Sequence, residues 1–171
     1  MNSPFWNFSL AVYGVTAVQD ECLELQDRFD FDVNLVLFCA YLGAAHGAAL
    51  PADDVASARD AVREWHGAIA KPLRSARRKL KTIGLPDAQE AAAAMQLRAQ
   101  VKAAEFESER IEQMMLERWA ERRLPAWPHG KTSEAIVANL RTLFATYAVY
   151  LEPSSAAKQL IAAALSATAI R

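Results

Sequence analysis

Apolar residues recur at helical spacing along most of this chain, and one stretch is apolar on every side. Ser3-Pro4 opens the first helix: serine caps, and proline at the first helical position lacks only an N–H that would have no partner anyway. Phe5, Trp6, Phe8, Leu10, Val12 and Tyr13 follow before Gly14, which is too much apolar and aromatic surface to leave in water. Thr16 to Phe29 reads as a second helix, with Val18, Cys22, Leu25 and Phe29 on one face and Asp20, Glu24 and Asp27 on the other. Then comes FDFDVNLVLFCAYL, residues 29–42. Asp32 is placed to cap a third helix, with the charge of Asp30 near its positive end. From Leu35 onward no polar face remains, which marks a central helix packed all round and ending at HG, residues 46–47.

Beyond Pro51 the pattern changes. Val55, Val62, Ile69, Ala76 and Ile83 repeat every seventh residue, widened by Trp65, Leu73 and Leu80, and Pro72 predicts a kink or break within them. GLPD at 84–87 is a stop and restart. The following helix, 87–122, places Leu97, Val101, Ala104, Ile111, Met115 and Trp119 on one stripe, with Met95 and Phe106 opposite. Two long amphipathic helices joined by a tight turn predict an antiparallel hairpin over 52–122. After a loop with two prolines, Thr132 or Ser133 caps a helix carrying Ile136, Leu140, Leu143, Phe144, Tyr147 and Leu151. An alanine-rich helix then runs from Ser155 to about Ala169, docked or frayed. No stretch alternates as a strand, and no internal repeat is present. The expectation is one all-α domain over 1–171, a bundle of six or seven helices. It comprises an N-terminal core (5–50) around a central apolar helix, the long antiparallel hairpin (52–122) and C-terminal helices (132–169).

Composition agrees: alanine is abundant, while glycine and proline number only 6 and 7. Nineteen basic residues against twenty acidic ones leave no global field to attract nucleic acid or an anionic membrane. Cys22 and Cys39 match no metal spacing and are too few for a disulfide scaffold, so a reducing cytoplasm is the simplest setting. The N-terminus lacks the basic and apolar regions of a signal peptide. The apolar run 35–45 is about half of the roughly twenty residues a membrane span needs, so a soluble protein without a transmembrane segment is expected.

Candidate chemistry is sparse. The acidic residues between 20 and 32 could ligate a hard cation, but they form no EF-hand spacing, and a solvated acidic face is the simpler reading; no metal site is assigned. KPLRSARRKLK supplies a basic patch of Lys71, Arg74, Arg77, Arg78, Lys79 and Lys81. It is read first as solvated or paired within the chain, for instance with the acidic N-terminal half, next as a protein-binding surface, and last as a nucleic-acid or membrane surface. PHGKTS, 128–133, echoes the end of a phosphate-binding loop but has Pro125 where the first glycine belongs, and no strand precedes it. His46, His66 and His129 stand at no ligand spacing from one another. Asn34, inside the apolar helix, needs a hydrogen-bond partner, and Gln26 and Asp30 are the nearest in sequence.

Read as a unit, Phe5-Trp6, Phe8-Ser9-Leu10, Tyr13, Cys22-Leu23, Leu25-Gln26-Asp27 and Asp32 to Leu35 resemble the DUF2390 family, whose members open on FWxFSLxVY and continue CLxLQDxxxxDVNLxLF. That resemblance covers the N-terminal third and implies no activity. It does draw Trp6, Gln26, Asp27 and Asn34 together as one polar-aromatic cluster. Separated acidic and basic surfaces, excess aromatic surface and no assembled catalytic signature lead to an expected protein-interaction or regulatory module. It is cytoplasmic, without cofactor, binding protein (itself included, as a homo-oligomer) rather than nucleic acid. The alternative is a small-molecule-binding protein or enzyme with a pocket near Tyr13, Gln26, Asp27 and Asn34.

Overall fold

In a computed structural model, which describes residues 3–168, the expected all-α architecture holds. The helices are α1 (Pro4–Tyr13), α2 (Thr16–Phe29), α3 (Val33–His46), α4 (Ala52–Trp65), α5 (Lys71–Thr82), α6 (Ala88–Glu121), α7 (Thr132–Thr146), α8 (Pro153–Ala156) and α9 (Lys158–Thr168). A π-helical turn, His66–Ala70, joins α4 to α5. Ala169, the expected C-terminal limit of the last helix, lies outside the described residues. By contact the chain divides into two compact units, Met1–Ala61 with Gln113–Arg171, and Val62–Glu112; α4 and α6 contribute residues to both.

The first unit is built around α3. Every residue from Asn34 to Ala44 is buried, as a helix apolar on all sides requires. Phe5 of α1 stacks on Tyr41 (5.1 Å between centroids) and tilts against Phe38 (5.4 Å). Gly43 lets α3 and α7 cross closely: a Cβ there would stand 2.5 Å from the Ile136 backbone nitrogen. Asn139 of α7, fully buried, ties down the turn after α3. Its Nδ2 donates to the carbonyls of Cys39 (3.1 Å) and Ala48 (2.9 Å), and its Oδ1 accepts from the Leu50 N–H (2.8 Å).

Several termini differ from expectation. Asp32 does cap α3, its carboxylate accepting the Asn34 N–H at 2.9 Å. Asp30 instead ends α2, at φ 57° in the left-handed region that aspartate tolerates better than most residues. At α7, Lys131 is the N-cap and no side chain caps it, rather than Thr132 or Ser133. The last helix docks: the Glu21 carboxylate accepts the N–H groups of Gln159 (2.8 Å) and Leu160 (2.9 Å), and Leu160 and Ala164 are buried. PHGKTS is held by backbone pairing, with the Gly130 N–H on the Gly47 carbonyl (2.9 Å) and the Pro128 carbonyl accepting from Ala49 (2.9 Å). A backbone engaged in this way is not a phosphate cradle.

The second unit is antiparallel, its partners running in opposite directions along the two strands of helix: His66 meets Glu112, Arg74 meets Glu109 and Arg77 meets Glu105. The expected heptad stripe fails here. Val55 and Val62 are buried, but Ile69 and Ile83 are exposed, and Ala70 is buried instead. The cause lies at Pro72, which has no N–H to give the fourth residue back and whose ring crowds that carbonyl. The chain widens by one residue just before it, and the Lys71 N–H reaches the His66 carbonyl, the bond of a π turn. The extra residue shifts the register, so positions 62, 66, 70 and 74 follow one another inward.

Candidate functional site

On α6 the buried face is polar. Glu105, Ser108, Glu112 and Gln113 are buried, while Leu97 of the expected stripe is 48% exposed and Val101, Ile111, Met115 and Trp119 are half-buried. At about 100° per residue, the stripe read from sequence lies roughly a quarter-turn from the face that is covered. Within the second unit this face meets basic groups. Glu105 accepts a two-pronged contact from the Arg77 guanidinium (Nη2 at 3.1 Å, with Nε also bonded) and lies 3.5 Å from Arg74 Nε. Arg74 also reaches Glu109 at 3.4 Å. Planar guanidinium against carboxylate is the strong, oriented form of ion pair.

The π turn places His66 against the far end of this seam. Its Nδ1 lies 3.2 Å from Glu112 Oε1 and 3.4 Å from Oε2; the Glu112 side chain is fully buried, and that of His66 is 10% exposed. One turn away the Trp65 indole N–H donates to the Ser108 carbonyl at 3.0 Å. Carboxylate beside imidazole fixes the ring, and both side chains are donor types that bind divalent transition metals. A π turn within a helix is a frequent mark of a functional position.

In the first unit the amide of Asn34 is satisfied by an unexpected residue. Gln113 Nε2 donates to Asn34 Oδ1 at 2.9 Å, rather than Gln26 or Asp30 supplying the partner. Gln113 Oε1 is buried with no hydrogen-bond partner among the described residues. Beside this pair the Asp32 N–H reaches Tyr147 Oη at 3.3 Å, the Tyr147 ring stacks on Phe31 (4.3 Å), and the Arg59 guanidinium lies 4.0 Å over the same ring. Burial first, and then the Asp32 charge, push the Tyr147 hydroxyl up to about 12. Burial likewise pushes both thiols, Cys22 and Cys39, up to about 12, with Glu21 adding to the effect at Cys22.

The other residues singled out in sequence are dispersed in character. Trp6 is buried in the core, Tyr13 is half-buried, and its carbonyl accepts from Gln19 Nε2 at 2.8 Å. Gln26 donates to the exposed Asp27 at 3.4 Å. The structure therefore joins Gln26 to Asp27 and Asn34 to Gln113. Of the basic patch, Arg74 and Arg77 turn inward to the glutamates of α6, while Arg78, Lys79 and Lys81 are exposed and Lys71 is half-buried. On α2, Asp20 and Asp27 are exposed, and Glu24 pairs with Arg28.

The pairing of His66 with Glu112 and of Asn34 with Gln113 was not readable from spacing, since each joins residues far apart in sequence. Two signals did exist. Pro72 implies a disturbed helix near His66, and Glu105, Ser108 and Glu112 share a helical face with Leu116, which is buried.

Fold and site together define an all-α protein with a carboxylate-lined seam and a buried imidazole–carboxylate pair. The chain belongs to the DUF2390 family, described as a protein of unknown function, whose model matches residues 4–116 and so takes in most of the hairpin as well as the N-terminal third. Neither the curated proteins nor the solved structures contain a match. No helix among the described residues is long and apolar enough to cross a membrane.

Proposed function

We propose that the protein is an interaction module whose partner is an acidic, amphipathic helix of another protein, seated on the distal part of the hairpin. One observation carries this reading: no residue from 71 to 104 is buried, although nearly all of them are helical. Helices whose inner faces are only half-covered, as at Leu73, Leu80, Ala94 and Val101, draw less stability from packing than buried ones, and isolated helices of this length are marginal in water. Ile83, Met95 and Leu97 are exposed along it, at 45%, 55% and 48%. Of its eight basic residues Arg74 and Arg77 are taken by Glu105 and Glu109, while Lys79, Lys81 and Lys102 are exposed, and its acids are Asp87 and Glu90. Apolar side chains between exposed cations suit a helix that offers leucines between carboxylates. The two buried thiols suit action in a reducing cytoplasm.

A photo-crosslinking amino acid at position 101, in cells of the native host, tests it. The expected product is a crosslink to an acidic helical segment of a different protein, lost in Leu80→Glu/Leu97→Glu with helicity unchanged. Crosslinks only to a second copy would make the module a homo-oligomer and overturn the choice of partner. The absence of any crosslink would overturn the interaction itself.

A second reading, a small-molecule site beside Asn34 and extending toward Tyr13, Gln26 and Asp27, is favoured by the Gln113 Oε1 acceptor that lacks a donor. A ligand that donates there would lose affinity in Gln113→Leu, read by thermal shift against a metabolite panel.

A further inference from the structure

We infer that a groove at the end of α6 binds a small phosphomonoester carrying a planar ring, a ligand of mononucleotide class. The groove lies wholly in the first unit, with a volume of about 360 Å³, and is lined by Ala61, Met115, Arg118, Trp119, Arg122 and Arg123. That volume is at the small end of ligand pockets and suits a small molecule rather than a protein segment. The inference is independent of the interaction surface proposed above.

Its walls are of two kinds. Trp119 is fixed from several sides: its ring packs edge-on to Phe38 (6.2 Å) and beside Trp127 (5.8 Å), and its indole N–H points to Ser57 Oγ at 3.4 Å. The Arg123 guanidinium lies 4.4 Å over the same ring, donates to the Trp119 carbonyl at 2.9 Å and faces Asp54 at 3.7 Å. Asp54 is held in turn by the Trp127 indole N–H at 2.6 Å. With the guanidinium stacked on the indole and held by Asp54, the planar Arg123 group backed by Trp119 is a preformed surface for a flat ring.

The second wall is charge. Arg118 in the last turn of α6 and Arg122 just past its end stand four residues apart, both exposed, and among the described residues neither makes an ion pair. Like charges at this spacing disfavour one another. Cations at a helix C-terminus do gain from the dipole, which is the ordinary reason to find arginine there. That gain does not account for three guanidinium groups around one concavity, of which only Arg123 has a carboxylate. Of the nearby acids, Glu117 accepts the Phe5 N–H (2.9 Å) and Glu121 is exposed on the same helix. Two free guanidinium forks fit a dianionic phosphate, and the ring clause follows from Arg123 stacked on Trp119.

Titration of the full chain with AMP, UMP and FMN, followed by calorimetry and tryptophan fluorescence, tests the assignment against inorganic phosphate and adenosine. Saturable binding of at least one phosphomonoester is expected, about tenfold or more tighter than phosphate or adenosine. Arg118→Ala/Arg122→Ala is expected to weaken it by about tenfold or more while the circular dichroism spectrum stays unchanged. Trp119→Phe keeps the phosphate contribution and reduces the preference for the ring-bearing ligand. No saturable binding at millimolar concentration, or binding indifferent to the double arginine variant, overturns the site. Phosphate binding as tightly as the nucleotides overturns the ring clause, and a 5′-phosphorylated oligonucleotide binding far more tightly than AMP overturns the small-molecule assignment in favour of nucleic acid.

Discussion

The buried stretch of α3 and the buried face of α6 are made of opposite materials. From Leu35 to Ala44 the α3 helix buries only apolar residues, tyrosine and glycine, whereas α6 buries Glu105, Ser108, Glu112 and Gln113 before its first buried leucine at 116. An apolar helix is held by area removed from water, which is not directional. A buried carboxylate is costly unless a specific partner meets it at a specific distance. The first unit is thus stabilised mainly by packing and the second by a short list of pairs: Arg77–Glu105, Arg74–Glu109 and His66–Glu112. Packed apolar regions tolerate modest changes of shape, while a region held by pairs fails when one partner goes.

The largest test of this contrast is Leu37→Asp. Leu37 is 3% exposed in the middle of α3, and a carboxylate there has no partner of its own, so the chain is expected not to fold. Far-ultraviolet circular dichroism and a loss of the cooperative melt would read this out. A folded variant with an ordinary melting temperature would mean that α3 is not central.

Next comes Glu112→Ala, expected to cost about 3 kcal/mol because it removes one member of a buried pair and leaves His66 without that carboxylate. Urea denaturation of the single variants and of His66→Leu/Glu112→Ala together gives the coupling, expected at about 1 kcal/mol or more. Additive costs would show that the pair is merely adjacent.

A third test uses pH. The folded-state values of Tyr147, Cys22 and Cys39 all stand at about 12, above their ordinary values of 10.0 for the hydroxyl and 9.0 for the thiols. Raised values mean that the native state holds these protons more tightly than the unfolded chain does. Their contribution is complete below about pH 9 and is lost as pH rises from there through about 12. The urea midpoint should therefore fall steadily over that window. In Tyr147→Phe the part of the fall above pH 10.0 should shrink, and an unchanged slope there would assign the alkaline loss to other groups.

These same contrasts explain what the sequence could show. A helix without a polar side has only one stable environment, so α3 was legible from its run of apolar residues alone, as were the Ser3 and Asp32 caps, whose partners lie three and two residues away. The hairpin's existence was legible from GLPD and from the length of its helices. Its inner face was not, because heptad counting assumes an unbroken α-helix and the π turn before Pro72 adds one residue to the count. Glutamates at 105, 109 and 112 look like surface until Arg77, Arg74 and His66 are known to reach them. The Asn34–Gln113 pair spans 79 residues, a distance over which spacing carries no information.

A smaller effect is expected at Asp32→Ala, about 1 kcal/mol, if the carboxylate acts as the cap its bond to the Asn34 N–H describes. Asp32 is only 3% exposed, so alanine also removes a buried charge together with its solvation cost. Those two contributions oppose one another and keep the net loss modest. A loss of several kcal/mol would show that the carboxylate holds more than one turn of helix.

The smallest effect separates the two faces of α6. Leu97 lies on the stripe that spacing predicted as core, yet it is 48% exposed, in a stretch where no residue is buried. Leucine in a packed stripe costs about 2–5 kcal/mol when truncated, whereas an exposed leucine costs within about 0.5 kcal/mol. Leu97→Ser is therefore expected to leave the purified chain's urea midpoint almost unmoved. If its stability drops by 2 kcal/mol or more, the periodic stripe is the true inner face and the polar seam is misassigned. If stability holds in the isolated chain but crosslinking at the neighbouring Val101 position fails in cells, the leucine serves a partner's surface and not this protein's own core.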